Sequence, residues 1–123
     1  MKPEFEPDKS IYLQIAESIE DDILQGVIDE ETQVPSTNQL AALYRINPAT
    51  AAKGLNQLVL EGTLYKKRGI GMFVKTGAVD EIRKKRKQAF QERFVLPLIE
   101  EAASLEISRD ELIAMIGGGE EKS

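Results

Sequence analysis

Isoleucine recurs at every fourth position through Ile11, Ile15, Ile19 and Ile23, and Tyr12, Ala16 and Leu24 widen the apolar stripe. This spacing predicts an amphipathic helix whose isoleucines face a core and whose other face carries Glu17, Glu20, Asp21 and Asp22, with Gly26 as its stop. Val27-Ile28 reads as a short strand and residues 29–33 as a polar turn. The helical period returns at Leu40, Leu43 and Tyr44, and again at Ala51, Gly54, Leu55 and Leu58. Beyond Glu61-Gly62 it shortens to that of extended chain. Residues 63–67 and 72–75 flank Arg68-Gly69-Ile70-Gly71, a hairpin signal with glycine at the tip. From Ala78 the helical pattern resumes through Ile82, Ala89, Phe90, Phe94, Leu98 and Ala102. Pro97 falls inside it and predicts a kink, since the apolar spacing continues afterwards. A last short helix holds Leu112, Ile113 and Ile116 and is expected to end at Gly117-Gly118-Gly119. Residues 1–9, with Pro3 and Pro7, read as an extended lead-in.

The start signals sharpen this picture. Ser36 with Gln39 has the form of a capping box, and Ser108 with Glu111 repeats it. Asn47-Pro48 places a favoured cap before the one position in a helix where proline's missing N–H costs nothing. The two central starts leave room for about two turns of helix and a three-residue turn, the layout of a helix-turn-helix. The second helix is then the one offered to DNA, with Ala49, Ala52, Lys53 and Asn56 on its outer side. Gly54 in its middle costs up to about 1 kcal/mol relative to alanine, which predicts close approach of another backbone on the inner side.

A chain of 123 residues suits one small domain with an appended piece. Without cysteine or histidine it has no thiolate nucleophile, imidazole base or ordinary zinc site. The remaining polar residues form no nucleophile–base pattern and no phosphate loop, so neither an enzyme nor a metal or cofactor site is expected. No apolar run approaches the ~18 residues of a membrane helix and no leader pattern opens the chain, which predicts a cytoplasmic protein. The net charge of −5 is unevenly spread: residues 1–52 hold three basic and ten acidic side chains, residues 53–87 ten and three, residues 88–123 three and eight. A basic centre between acidic ends is a footprint of local phosphate contact. Lys66, Lys67 and Arg68 beside the hairpin tip suit the role of a wing. The consecutive charges at Arg83, Lys84, Lys85, Arg86 and Lys87 cover every face of a helical turn and so belong to solvent or to a duplex backbone.

Two C-terminal helices of roughly twenty-five and nine residues cannot close a core of their own. Phe90, Phe94, Leu98, Leu105, Leu112 and Ile116 therefore need a partner surface, and a second copy of the chain is the simplest supplier. The alternative is that these helices fold back on the first one.

The segment over residues 11–74 resembles the DNA-binding domain of the GntR family of bacterial transcription regulators. The resemblance rests on Ile11-Tyr12-Leu13-Gln14-Ile15, Gly26, Pro35-Ser36 with Leu40-Ala41, the Asn47-Pro48-x-Thr50 entry, Leu58, Glu61-Gly62 and Gly69-x-Gly71-x-Phe73-Val74. The entry motif and the short helical C-terminal part are similar to the YtrA-like branch, in which a two-helix region serves dimerisation. The resemblance implies a homodimer that binds an inverted-repeat operator and usually represses. Where many members carry arginine, this chain has Asn38, Pro48 and Ala52. The contact set it implies is Ser36, Asn38, Asn47, Pro48, Ala49, Thr50, Ala52, Lys53, Lys66, Lys67, Arg68, Gly69, Ile70 and Gly71, with Ala49 or Ala52 able to touch a thymine methyl. So few cations imply modest affinity and a shallow salt slope per site.

The expected fold is mainly α with a small β-hairpin wing. Residues 1–76 form a winged helix-turn-helix domain and residues 77–123 a two-helix dimerisation region. The expected partners are double-stranded DNA and a second copy, with a small-molecule effector left open. The competing reading is a winged helix that meets another protein and binds no DNA.

Overall fold

In the computed structural model, which describes residue 5 and residues 9–121, the isoleucine stripe forms helix α1 (Ile11–Leu24). Ile15, Ile19 and Ile23 are fully buried, and Ile11 is exposed in the first turn. The helix stops at Gly26, which takes φ +77. Val27 N donates to Asp22 O and Gly26 N to Ile23 O, so two otherwise unpaired carbonyls are satisfied. The acidic face is less exposed than expected. Glu20 and Asp22 are buried, as is Ser18, whose Oγ lies 3.4 Å from Tyr44 Oη. Among the described residues no buried side-chain nitrogen or oxygen lacks a hydrogen-bond partner, which is what makes burial of these polar groups tolerable.

Helix α2 (Thr37–Tyr44) buries Leu40, Ala41 and Tyr44. Leu43, expected in the core, is exposed. Successive residues turn by about 100°, so the arc shared by 40, 41 and 44 leaves 43 on its flank. A three-residue turn leads to helix α3 (Pro48–Leu60), which buries Ala51, Gly54, Leu55 and Leu58 against α1 and α2. Its end repeats the device of α1: Gly62 takes φ +80, with Thr63 N donating to Leu58 O.

Strands β1 (Leu64–Lys67) and β2 (Gly71–Val74) pair antiparallel in the register Leu64↔Val74 to Lys67↔Gly71. Leu64 and Val74 enter the core. The strand expected at Val27-Ile28 is absent, and pairing occurs further on. Glu31 N donates to Val74 O, Val74 N to Thr32 O and Val34 N to Met72 O, so residues 31–34 lie along the free edge of β2. Of the lead-in over residues 1–9, only Phe5 and Lys9 are among the described residues, and the Phe5 ring centroid sits 5.1 Å from that of Tyr44.

Helix α4 (Ala78–Phe90) begins inside this first unit, because Ala78 and Ile82 join its core. The chain divides into two compact units between Lys84 and Lys85, within α4 and eight residues past the linker at Thr76-Gly77. The second unit contains the rest of α4, a wide π turn (Gln91–Val95), helix α5 (Leu96–Ser104) and helix α6 (Arg109–Glu121). The π turn, in which Leu96 N reaches Gln91 O, sits just ahead of Pro97. Proline cannot donate to the carbonyl of Arg93 and its ring crowds it, so a change of winding next to it has a direct cause. Ser108 Oγ caps α6 by accepting from Glu111 N at 3.1 Å. The expected stop at Gly117 is not taken and α6 runs on through the glycines to Glu121. Glycine weakens a helix without blocking it, since it keeps its N–H and adds no clash. Among the described residues of this unit only Ala102 is buried.

Candidate nucleic-acid interface

The first part of the surface is set by caps. Ser36 Oγ accepts from Gln39 N at 3.1 Å while Gln39 Oε1 accepts from Ser36 N at 2.8 Å, so the whole predicted box is present. It fixes the first turn of α2 and leaves Asn38 exposed there. Arg45 closes α2 with φ +56, and Ile46 N donates to Ala41 O. Asn47 Oδ1 then accepts from Ala49 N at 2.8 Å, with Pro48 as the first helical residue. Ser36 and Asn47 are thus engaged as caps, and what they present outward is the direction of the helix each one starts.

With α3's apolar stripe turned inward, Pro48, Ala49, Lys53 and Asn56 are exposed, while Thr50 and Ala52 are half-buried on the flanks. The helix lies close to α1. A Cβ added to Gly54 would sit 2.9 Å from Tyr12 O and 3.1 Å from Ile15 Cγ2, the close approach that its position predicted. The same neighbour steadies the one cation of this helix: Lys53 Nζ is 4.2 Å from the Tyr12 ring centroid.

The wing separates its three basic residues. Side chains alternate along a strand, so Lys66 shares the face of Leu64, and Lys67 shares that of Tyr65. On the latter face Tyr65 and Phe73 stack with centroids 6.0 Å apart and Lys67 Nζ lies 4.2 Å over Phe73. Arg68, Gly69 and Ile70 form the exposed tip, where Gly69 takes φ +79. Gln33 Nε2 donates to Ile70 O at 2.9 Å and its side chain occupies the space a Cβ on Gly71 would need. Gly71 is therefore the residue that lets Gln33 pin the tip.

Sequence reasoning missed Tyr12 beneath Lys53, Gln33 beneath the wing tip, exposed Arg45 between the helices, and a pair of carboxylates. Glu31 accepts from Tyr65 Oη at 2.5 Å and from Thr76 N and Oγ1 at 2.9 and 2.8 Å. Glu30 accepts from Gly77 N at 2.9 Å and Val79 N at 3.0 Å. No local pattern announces these contacts, which join residues more than thirty positions apart. The hydrogen bond from Tyr65, then those from Thr76 and the charge of Lys67, hold the Glu31 carboxyl below the usual range. The Gly77 and Val79 amides do the same for Glu30, against opposition from desolvation and then from the charge of Glu31. Because folding depresses both values, their contribution is present above the unfolded carboxylate pKa of about 4.3 and is lost as pH falls through the folded values. Wild type should therefore lose more thermal stability than Glu31→Gln between pH 6 and pH 3; parallel melting curves over that range would contradict it.

A capped helix pair with the outer face of its second helix open, followed at once by a pinned basic hairpin, defines a winged helix-turn-helix protein. Residues 11–74 match the family model of bacterial regulatory proteins, gntR family, and the chain belongs to that family. The fold is similar to a crystal structure described as a GntR family transcriptional regulator from Bacteroides thetaiotaomicron, with a TM-score of 0.79 and 36% identity, covering 91% of this chain and 97% of that one. It is also similar to YtrA from Sulfolobus acidocaldarius, at a TM-score of 0.57 and 26% identity over 99% and 97% of the two chains. A third similar structure is the DNA-binding domain of AraR in complex with operator ORX1, at 0.52 and 32%, covering 58% of this chain and 92% of that one. Two of the curated relatives it matches, at 36% and 33% identity, are much longer, and the match spans only 27% and 29% of their length. Among the described residues no helix is long and apolar enough to cross a membrane, and no cluster of acidic side chains could hold a metal ion.

Proposed function

We propose that this chain is a sequence-specific DNA-binding transcription regulator of the cytoplasm, acting as a homodimer on an inverted-repeat operator and repressing by occupancy. The observation that carries the proposal is the outer face of α3: small, polar and open, with its cation held over Tyr12 and a basic hairpin following directly in the chain. Such a face fits a major groove without steric cost, and Ala49, Ala52 and Thr50 offer methyl groups to thymine. The similarity to a DNA-binding domain solved on its operator supports the same reading. Dimerisation is assigned to the second unit, the part of the expected 77–123 region beyond Lys84, where Phe90, Phe94, Leu98, Leu105 and Ile116 are exposed and Leu112 is half-buried. Leu96, Ile99, Ile113 and Met115 are exposed beside them.

Selection from a random duplex pool at low and physiological salt tests this directly. Enrichment of an inverted repeat is the expected result. No enrichment at either salt, from folded protein, would favour the reading in which the nearly uncharged α3 face, with exposed Leu60 beside it, meets another protein. On the enriched site, Lys66→Ala and Arg68→Ala should each reduce the slope of log affinity against log salt by about 0.9, the value for one phosphate contact. Unchanged slopes would remove the wing from the contact set.

A further inference from the structure

We infer that Glu30 and Glu31 form the joint that sets the direction in which α4 leaves the winged unit, and through it the half-site spacing a dimer accepts. This rests on the proposed DNA-binding function and names two positioning residues within it. Five hydrogen bonds converge on the two carboxylates, and every donor lies on β1, at Tyr65, in the segment that joins the wing to α4, at Thr76 and Gly77, or in the first turn of α4, at Val79. That segment turns at Gly77, which takes φ +89, and Lys75 N donating to Thr63 O and Ala78 N to Lys75 O brace it from the wing side. Ala78 and Ile82 seat α4 on the core, and the amides of Gly77 and Val79, bonded to one carboxylate, add a directional constraint on how its first turn is aimed. The carboxylates are themselves held in place. Glu31 takes φ +64, a conformation that non-glycine residues keep only when their surroundings determine it, and its own N–H is bonded to Val74 O at 2.8 Å.

The lever is long enough for small changes to count. A helix of thirteen residues spans about 20 Å, and tilting it by roughly 10° moves its far end by about 3.5 Å, close to the rise of one base pair. Half-site spacing in a dimer is a geometric property of this kind.

The experiment uses the full chain and duplexes carrying two copies of the half-site that wild type enriches, with the spacer varied one base pair at a time, plus a duplex with a single half-site. Wild type is expected to prefer one spacer over its neighbours by about tenfold, and Glu30→Ala and Glu31→Gln to reduce that preference to about twofold with the single half-site bound nearly as before. Tyr65→Phe and Thr76→Val each remove one donor while keeping the side chain's bulk, and should fall between; they decide the matter if the glutamate variants do not fold. A spacing preference unchanged in the variants overturns the inference and leaves the proposed function standing. So does an equal loss on every duplex, single half-site included, which is the mark of a merely structural role. If wild type enriches no half-site, the function fails and the inference with it.

Discussion

Replacing Phe94 and Leu98 together by aspartate is expected to turn the proposed dimer into a folded monomer and to weaken binding to the proposed inverted repeat by about a hundredfold or more. The reasoning starts from a mismatch between composition and burial. The second unit carries Phe90, Phe94, Leu96, Leu98, Ile99, Leu105, Ile113, Met115 and Ile116, and every one is more than two-fifths exposed. The Phe90 and Phe94 rings are tilted against each other at 5.5 Å between centroids, with the Arg93 guanidinium 5.0 Å over the second ring. Exposed large apolar side chains at this density are uncommon on a monomer and point to an interaction face. Because both substituted residues are exposed within the chain, charge there costs the isolated subunit little. In a dimer interface the same charges would be buried without partners. Two linked half-site contacts bind through effective concentration, which raises affinity about 10²- to 10⁴-fold over one contact, and a monomer forfeits that gain. Sedimentation velocity and titration on inverted-repeat and single-half-site duplexes read the two effects separately. A dimer that survives both aspartates would move the interface elsewhere on the chain.

The parts of this molecule that were legible in advance are those governed by chemistry within a few residues. Ser36 with Gln39, Asn47 with Pro48, Gly26 and Gly62 each satisfy or release backbone groups in their own turn, so their neighbours in sequence decide them. The hairpin is of the same kind. Gly54 was readable for a different reason: a costly residue in mid-helix signals a neighbour, though not which one, and Tyr12 became visible only in the structure. What escaped was long-range. Residues 31–34 are too polar to read as a strand and pair because β2 offers an edge. Ile82 has the spacing of the C-terminal stripe yet belongs to the first core. Glu20 and Asp22 look like solvent-facing charges in α1, because nothing in the helical period shows which neighbours will cover that side.

Valine at position 54 is expected to cost about 3 kcal/mol of stability, in spite of the gain in helix propensity that any side chain brings over glycine. That gain is at most about 1 kcal/mol for alanine and smaller for a β-branched residue. Against it stands a Cβ placed 2.9 Å from the carbonyl oxygen of Tyr12 and 3.1 and 3.2 Å from Ile15 Cγ2 and Cβ. The first of these is backbone inside α1 and cannot swing aside, and Ile15 is fully buried. Relief therefore requires α1 and α3 to separate, and overpacking of a tight core costs about 1–3 kcal/mol, with two further methyls at the upper end. Alanine, with the Cβ alone, should lose about 1 kcal/mol or less, and the order Gly, Ala, Val in thermal melting is the check. A second consequence separates this account from simple destabilisation. Separating the helices also moves Lys53 off the Tyr12 ring and shifts the outer face of α3 relative to the wing. Alanine should thus weaken duplex binding at temperatures where the variant is still fully folded. An alanine variant as stable as wild type, binding equally well, would mean that α1 yields at Tyr12 and that the close contact does not set the position of α3.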